Sequence, residues 1–129
     1  GRREIERELW ARISAAVLDV SGDKHAVVAL SGGYDSTALL GILHGAGRTL
    51  STFSFSIGEP APSSDADVAR RRAALLGVEH LVYRFDEDRD IAAMLRAQLD
   101  SGLVLRKPCY ELAAYERATE DILERCPNP

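Results

Sequence analysis

A chain of 129 residues is long enough for one domain with a real core and too short for two, so residues 1–129 are expected to form a single domain. A net charge of −4 argues against a nucleic-acid partner, which leaves its trace as a basic balance or stripe. No apolar run approaches the length of a membrane span and no signal peptide opens the chain, so the expected setting is cytoplasmic, with no membrane partner.

Residues 3–20 carry Ile5, Leu9, Ile13, Val17 and Val20 at spacings of four and three, opposite Arg3, Glu4, Glu6, Arg7 and Glu8. That pattern predicts an amphipathic helix, closed by the turn residues Ser21-Gly22-Asp23. The unbroken apolar run at 25–30 predicts a strand buried on both faces, as in a parallel sheet. A helix over 36–45 follows, ended by Gly45 and Gly47, and then a second strand, Leu50 to Ile57, rich in aromatic and hydroxyl residues. Pro60 and Pro62 make 58–63 a loop.

Ser64 and Asp67 form a capping-box-like start for a helix to Leu76, closed by Gly77, with Val68, Ala69, Ala73, Leu75 and Leu76 as its expected buried side. Arg70, Arg71 and Arg72 are consecutive and cannot share one face. They are expected in solvent, with contact between one of them and a phosphate or partner as the alternative. Residues 80–85 predict a third strand, and Asp86 caps a helix through Ile91, Met94, Leu95 and Leu99. Leu103-Val104-Leu105 is short and apolar. Pro108 suits the first position of a last helix, running through Leu112, Tyr115, Thr119, Ile122 and Leu123 to about Cys126. Three strands alternating with helices predict an α/β protein, layered α/β/α around a parallel sheet. Right-handed crossovers then place the end of the first strand at the edge where open α/β sheets bind ligands.

At that edge stands Ser31-Gly32-Gly33-Tyr34-Asp35-Ser36-Thr37. Two glycines admit a tight turn and the close approach of an anion. The free N–H groups and dipole of the next helix favour negative charge there. The stretch has no lysine, so it is not a Walker A loop; it lacks the third glycine of a dinucleotide fingerprint; and it is not a G-x-S-x-G elbow. The alternative is a Gly-Gly strand-to-helix turn that binds nothing, and the full hexad placed between strand and helix weighs against it.

The hexad from Ser31 to Ser36 resembles the SGGxDS signature of the PP-loop ATP pyrophosphatase superfamily. That superfamily includes asparagine synthetases, β-lactam synthetases, lasso-peptide cyclases, NAD and GMP synthetases and tRNA-modifying enzymes. Thr52-Phe53-Ser54-Phe55-Ser56-Ile57-Gly58, Ser64-Asp65, Ala69-Arg70 and Leu76-Gly77-Val78-Glu79-His80 are similar to the synthetase domain of asparagine synthetases, over roughly residues 10 to 100. The resemblance implies a Rossmann-like sheet of the adenine nucleotide alpha hydrolase type, in whole or in part, with ATP and Mg²⁺ as cofactors. It also implies roles for single residues. Ser31, Gly32, Gly33 and Ser36 would cradle the β- and γ-phosphates, Asp35 would hold Mg²⁺ and serve catalysis, and backbone groups of Leu30 and Ile57 would contact adenine. A small-molecule or peptide carboxylate would attack the α-phosphate to give an acyl-adenylate and pyrophosphate, and an amine would then displace AMP.

Nothing in the sequence matches the S-G-x-G-x-D-E segment found later in that family, nor its later lysine and acid, nor a glutaminase cysteine. The expectations are therefore a fragment of a longer synthetase, one half of a split enzyme that needs a partner chain, or a nucleotide binder that does not complete the reaction. Cys109, in the first turn of the last helix beside Arg106 and Lys107, motivates a tRNA-thiolating rival, which the acidic balance opposes. Cys109 and Cys126 on one helix would lie about 25 Å apart, beyond disulfide reach. Lys107 is expected in solvent, with a phosphate or carboxylate contact as the alternative. His25, His44 and His80 are too scattered to suggest a ligand set.

Overall fold

The computed structural model describes residues 1–102 and 109–125. The expected apolar segment at 103–105, Lys107, Pro108 and Cys126 lie outside the described residues. Among the described residues eight elements follow one another: α1 (Arg2–Ser21), β1 (Ala26–Ala29), α2 (Tyr34–Gly45), β2 (Leu50–Ile57), α3 (Asp65–Leu75), β3 (Glu79–Phe85), α4 (Glu87–Asp100) and α5 (Tyr110–Arg125). The strands form one parallel sheet in the order β1-β2-β3, with Ala26 opposite Leu50 and Phe53 opposite Leu81. The protein is thus an α/β chain with helices on both faces of a parallel sheet, the layered arrangement expected from the alternation of elements.

Strand alternation sorts the core into two halves. Val28, Leu30 and Leu50 turn to one face and meet Leu40 and Leu43 of α2 and Ala69 and Ala73 of α3. Phe53 and Phe85 turn to the other face and meet Met94 of α4 and Ala113, Ala114 and Ala118 of α5. Both crossover helices, α2 and α3, lie on one face, as successive right-handed crossovers in one direction require. Edge-to-face ring pairs (Phe53–Tyr83, Phe53–Tyr115, Phe85–Tyr110) knit the second half, and the Arg117 guanidinium sits 4.5 Å from the Phe85 ring centre.

Several apolar stripes are covered only in part. α1 buries no residue fully: Ile5, Leu9, Trp10, Ile13 and Val20 stay exposed, and only Val17 and Leu18 pack against the core. A helix of 20 residues is about 30 Å long, whereas α2, against which it packs, has 12 residues, so among the described residues part of α1 has nothing to lie on. On α3 the buried row is Ala66, Ala69 and Ala73, while Leu75 and Leu76, expected inside, are exposed. Leu75 lies two residues past Ala73, about 200° round the helix. The inner row of α4 is Asp90, Met94 and Gln98 rather than an apolar stripe, and Ile91, Leu95 and Leu99 are exposed. Asp90 accepts from the Asp86 N–H at 2.7 Å and faces Arg117 at 3.6 Å and Arg89 at 3.7 Å. These partners, the Asp86 amide first, hold its carboxyl below the usual carboxylate value. Asp86 caps α4 as expected, its Oδ1 accepting from the amides of Asp88 and Arg89.

The hydroxyl residues of β2 are internal. Thr52 and Ser54 are buried on the α2/α3 face, with the His80 ring between them, 2.8 Å from Thr52 Oγ1 and 3.0 Å from Ser54 Oγ. Thr52 Oγ1 donates to the Glu79 carbonyl, so Nδ1–H of His80 donates to Thr52 and Nε2 accepts from Ser54. Burial, with Arg70 nearby, pushes the His80 pKa from 6.5 down to about 4. The ring costs nothing above pH 6.5, where it is neutral in both states. Between pH 6.5 and 4 the unfolded chain binds the proton that the folded chain refuses, so stability falls with pH across that window. Urea midpoints should therefore drop faster between pH 7 and 4.5 in the wild type than in His80→Gln. Parallel pH profiles would show that this ring is not a buried neutral base.

Candidate functional site

The turn from β1 to α2 is built by its own side chains. Gly33 is the N-cap of α2 in an extended conformation, and the helix begins at Tyr34, two residues earlier than the sequence pattern placed it. Asp35 therefore belongs to the first turn, whose N–H groups have no acceptor within the helix. Ser36 Oγ accepts from the Ser31 amide at 3.1 Å and lies 3.0 Å from Ser31 Oγ, which in turn accepts from the Gly33 amide at 3.1 Å. Thr37 Oγ1 donates to the Gly33 carbonyl at 2.7 Å. The hydroxyls thus hold the turn in one shape, with the Ser31 and Gly33 amides bonded inward. Asp35 is exposed, and among the described residues its carboxylate has no hydrogen-bond or ion-pair partner.

α3 packs directly on this turn. A Cβ added at Gly32 would stand 2.5 Å from Asp65 Oδ1 and 3.3 Å from Asp65 Cα, so glycine is required by the approach of the helix rather than by its dihedral freedom. Ser64 caps α3 by accepting from the Asp67 amide at 3.3 Å. The return arm of the expected capping box lands one residue early: Asp67 Oδ2 accepts from the amide of Ser63, which holds a left-handed φ of 63°. Arg70 and Arg71 both pair with Asp67 on the outer side, as the solvent expectation has it. Arg72 does not: its Nη1 donates to the carbonyls of Gly32 and Gly33, each at 3.0 Å, and to Thr37 Oγ1.

The turn opens on a cleft of about 530 Å³, within the usual range of small-molecule pockets. Its walls come from Leu30 and Ser31 after β1, Ile57 at the end of β2, Asp65 at the head of α3, and Glu111 and Tyr115 of α5. The Leu30 side chain is buried and its amide donates to the Phe53 carbonyl at 2.7 Å. Ile57 is half exposed at the rim. The structure thus brings Leu30, Ser31, Gly32, Gly33, Asp35, Ser36 and Ile57 to one sheet edge. Sequence reasoning left open that one arginine of the run reaches a phosphate, without saying which, and it missed Glu111 and Tyr115. For Arg72 a signal existed: it follows Asp65 by seven residues, two turns along the same side of α3. For Glu111 and Tyr115 there was none, because only the long-range docking of α5 brings them to the cleft.

Hydroxyls, open first-turn amides and a guanidinium behind them suit the oxygens of a polyphosphate. Asp35 suits Mg²⁺, which is commonly held by one or two carboxylates plus phosphate oxygens and water. Among the described residues no group of three His, Cys, Asp or Glu is placed to hold a metal, so such an ion would depend on the phosphates. The three histidines stay apart: His25 bonds Ser51, His44 ends α2 and His80 is bound within the core. Cys109 is a half-buried free thiol whose amide donates to Gln98. No helix among the described residues is long and apolar enough to cross a membrane.

A parallel sheet with helices on both faces, a two-glycine turn at its carboxyl edge and a cleft beside the turn define a Rossmann-like, layered α/β protein. The chain belongs to the asparagine synthase family, whose model matches residues 9–118. That is a family of ATP-dependent amide-forming synthetases. No curated protein sequence matches the chain closely enough to serve as a relative.

Proposed function

We propose that this chain binds Mg-ATP at the β1–α2 turn and activates a small-molecule or peptide carboxylate as an acyl-adenylate, which an amine then converts to an amide. The observation that carries the reading is the turn itself: first-turn amides with no acceptor within the helix, paired serine hydroxyls and an exposed Asp35, unpartnered among the described residues, at the carboxyl edge of the sheet. Ser31, Ser36 and the first-turn amides of α2 would bind the β- and γ-phosphates. The carbonyls at the ends of β1 and β2 would meet the base within the cleft. Mg²⁺ bound at Asp35 would neutralise phosphate charge. In the first step a carboxylate oxygen bonds to the α-phosphorus while the bond to pyrophosphate breaks. In the second the amine nitrogen bonds to the acyl carbon, AMP leaves and the amine loses a proton. Such catalysis rests on positioning and electrostatics rather than on a protein nucleophile. Product analysis tests it: AMP and pyrophosphate are expected, and ADP with inorganic phosphate would overturn the reading.

A second reading is a nucleotide-binding module completed by another segment or chain, and one observation favours it. Among the described residues β1 is an edge strand, and the hollow beside it is walled by apolar residues, among them Val17, Val20, Val27 and Leu39. A further parallel strand added there would bring its own end beside the phosphate turn. Turnover of ATP by this chain alone, with a carboxylate and an amine, would refute it.

A further inference from the structure

We infer that Arg72 is the positioning residue of the phosphate turn, and that it sets the turn's affinity for a pyrophosphate unit specifically. The inference rests on the nucleotide reading above and goes beyond it in naming what holds the cradle in shape. Two adjacent glycines give the turn a conformational freedom that its own hydroxyl bonds restrict only in part. One guanidinium nitrogen draws two successive carbonyls, those of Gly32 and Gly33, and the Thr37 hydroxyl toward α3. In a planar trans peptide the N–H points opposite to the C=O. Fixing the Gly33 carbonyl on α3 therefore turns the Tyr34 amide away from α3. Fixing the Gly32 carbonyl turns the Gly33 amide onto Ser31 Oγ, where it is found at 3.1 Å.

The bond is also electrostatic. A charged donor on a carbonyl polarises the peptide and makes the amide on its far side a stronger donor. Arg70 and Arg71 spend their charge on Asp67, whereas Arg72 has no carboxylate partner among the described residues, so its charge remains for an anion on the turn. The position is set by the helix: Arg72 stands two turns beyond Asp65, whose close approach to Gly32 fixes the distance between α3 and the turn.

Titration calorimetry with magnesium pyrophosphate and, separately, with AMP tests the assignment on the intact chain. Arg72→Met should weaken pyrophosphate binding roughly 10- to 100-fold, the span of losing hydrogen bonds from a charged group, while AMP affinity changes less than about threefold. Arg72→Lys should recover part of the loss. Thr37→Val, which removes one acceptor of Arg72 and the hydroxyl donor on the Gly33 carbonyl but no charge, should give a smaller loss in the same direction. Arg71→Met should change neither ligand. Wild-type pyrophosphate affinity in Arg72→Met, or equal losses for pyrophosphate and AMP, would overturn the positioning role and leave the nucleotide reading standing. A wild-type chain that bound neither pyrophosphate nor ATP would overturn that reading, and the positioning role with it.

Discussion

Replacing Asp35 by alanine should remove the magnesium-dependent part of ATP binding. The carboxylate sits in the first turn of α2, exposed and, among the described residues, unpartnered, beside the amides that would meet the phosphates. Groups that merely orient a metal ligand are worth about 10- to 100-fold in metal affinity, so the ligand itself should cost at least about 100-fold. Without magnesium the sign should invert. A negative side chain beside a polyphosphate repels it, so Asp35→Ala should then bind ATP as well as the wild type or better. Loss of an acidic residue from the first turn would also destabilise α2 by about 0.3–1 kcal/mol, a change too small to imitate the binding loss. Calorimetric titrations with magnesium and with a chelator separate these effects. Equal magnesium dependence in both proteins would remove Asp35 from the metal site.

What could be read from the sequence was whatever rests on local pattern. The hexad Ser31–Ser36, the alternation of strands and helices, the Asp86 cap and the Gly77 stop each depend on neighbours a few residues apart, and each stands in the structure. Polar residues that are buried because something distant satisfies them escaped that reading. Thr52 and Ser54 look like the wet face of a strand until His80 is placed between them from β3. Asp90 and Gln98 look like the outer side of α4, whose true inner row they share with Met94, because a hydrophobic stripe is recognised only by its apolar members. The stripe on α1 misled in the opposite sense, since periodicity says which face could be covered and not whether anything is there to cover it. At the site, the residues of the turn were legible, while Arg72 was hidden in a run of three arginines whose partners only the packing distinguishes.

The close packing of α3 on the turn makes Gly32→Ala the most damaging single methyl group in the site. The added Cβ would meet Asp65 Oδ1 at 2.5 Å, which rotation of the carboxylate can relieve, and Asp65 Cα at 3.3 Å, which only a backbone shift can relieve. Either the turn or the head of α3 must move by a few tenths of an ångström, and Arg72, anchored on the same helix, would be drawn off the carbonyls of Gly32 and Gly33. Overpacking of this kind costs about 1–3 kcal/mol, and each 1 kcal/mol lowers Tm by roughly 4 °C in a domain of this size. Pyrophosphate affinity should fall by about tenfold or more, because the same displacement loosens the amides that would bind it. Asp65→Ala alone should be mild, near the 0.3–1 kcal/mol of an acidic residue at a helix start. In the double variant it should restore part of the loss, since it removes the clash with the carboxylate and leaves only the crowding against the α3 backbone. Thermal melts and pyrophosphate titrations of the four proteins close a double-mutant cycle in which touching residues show coupling and separated ones add. Simple additivity of the two substitutions would mean that Gly32 and Asp65 do not touch in solution, and the support of the phosphate turn by α3 would fall with that result.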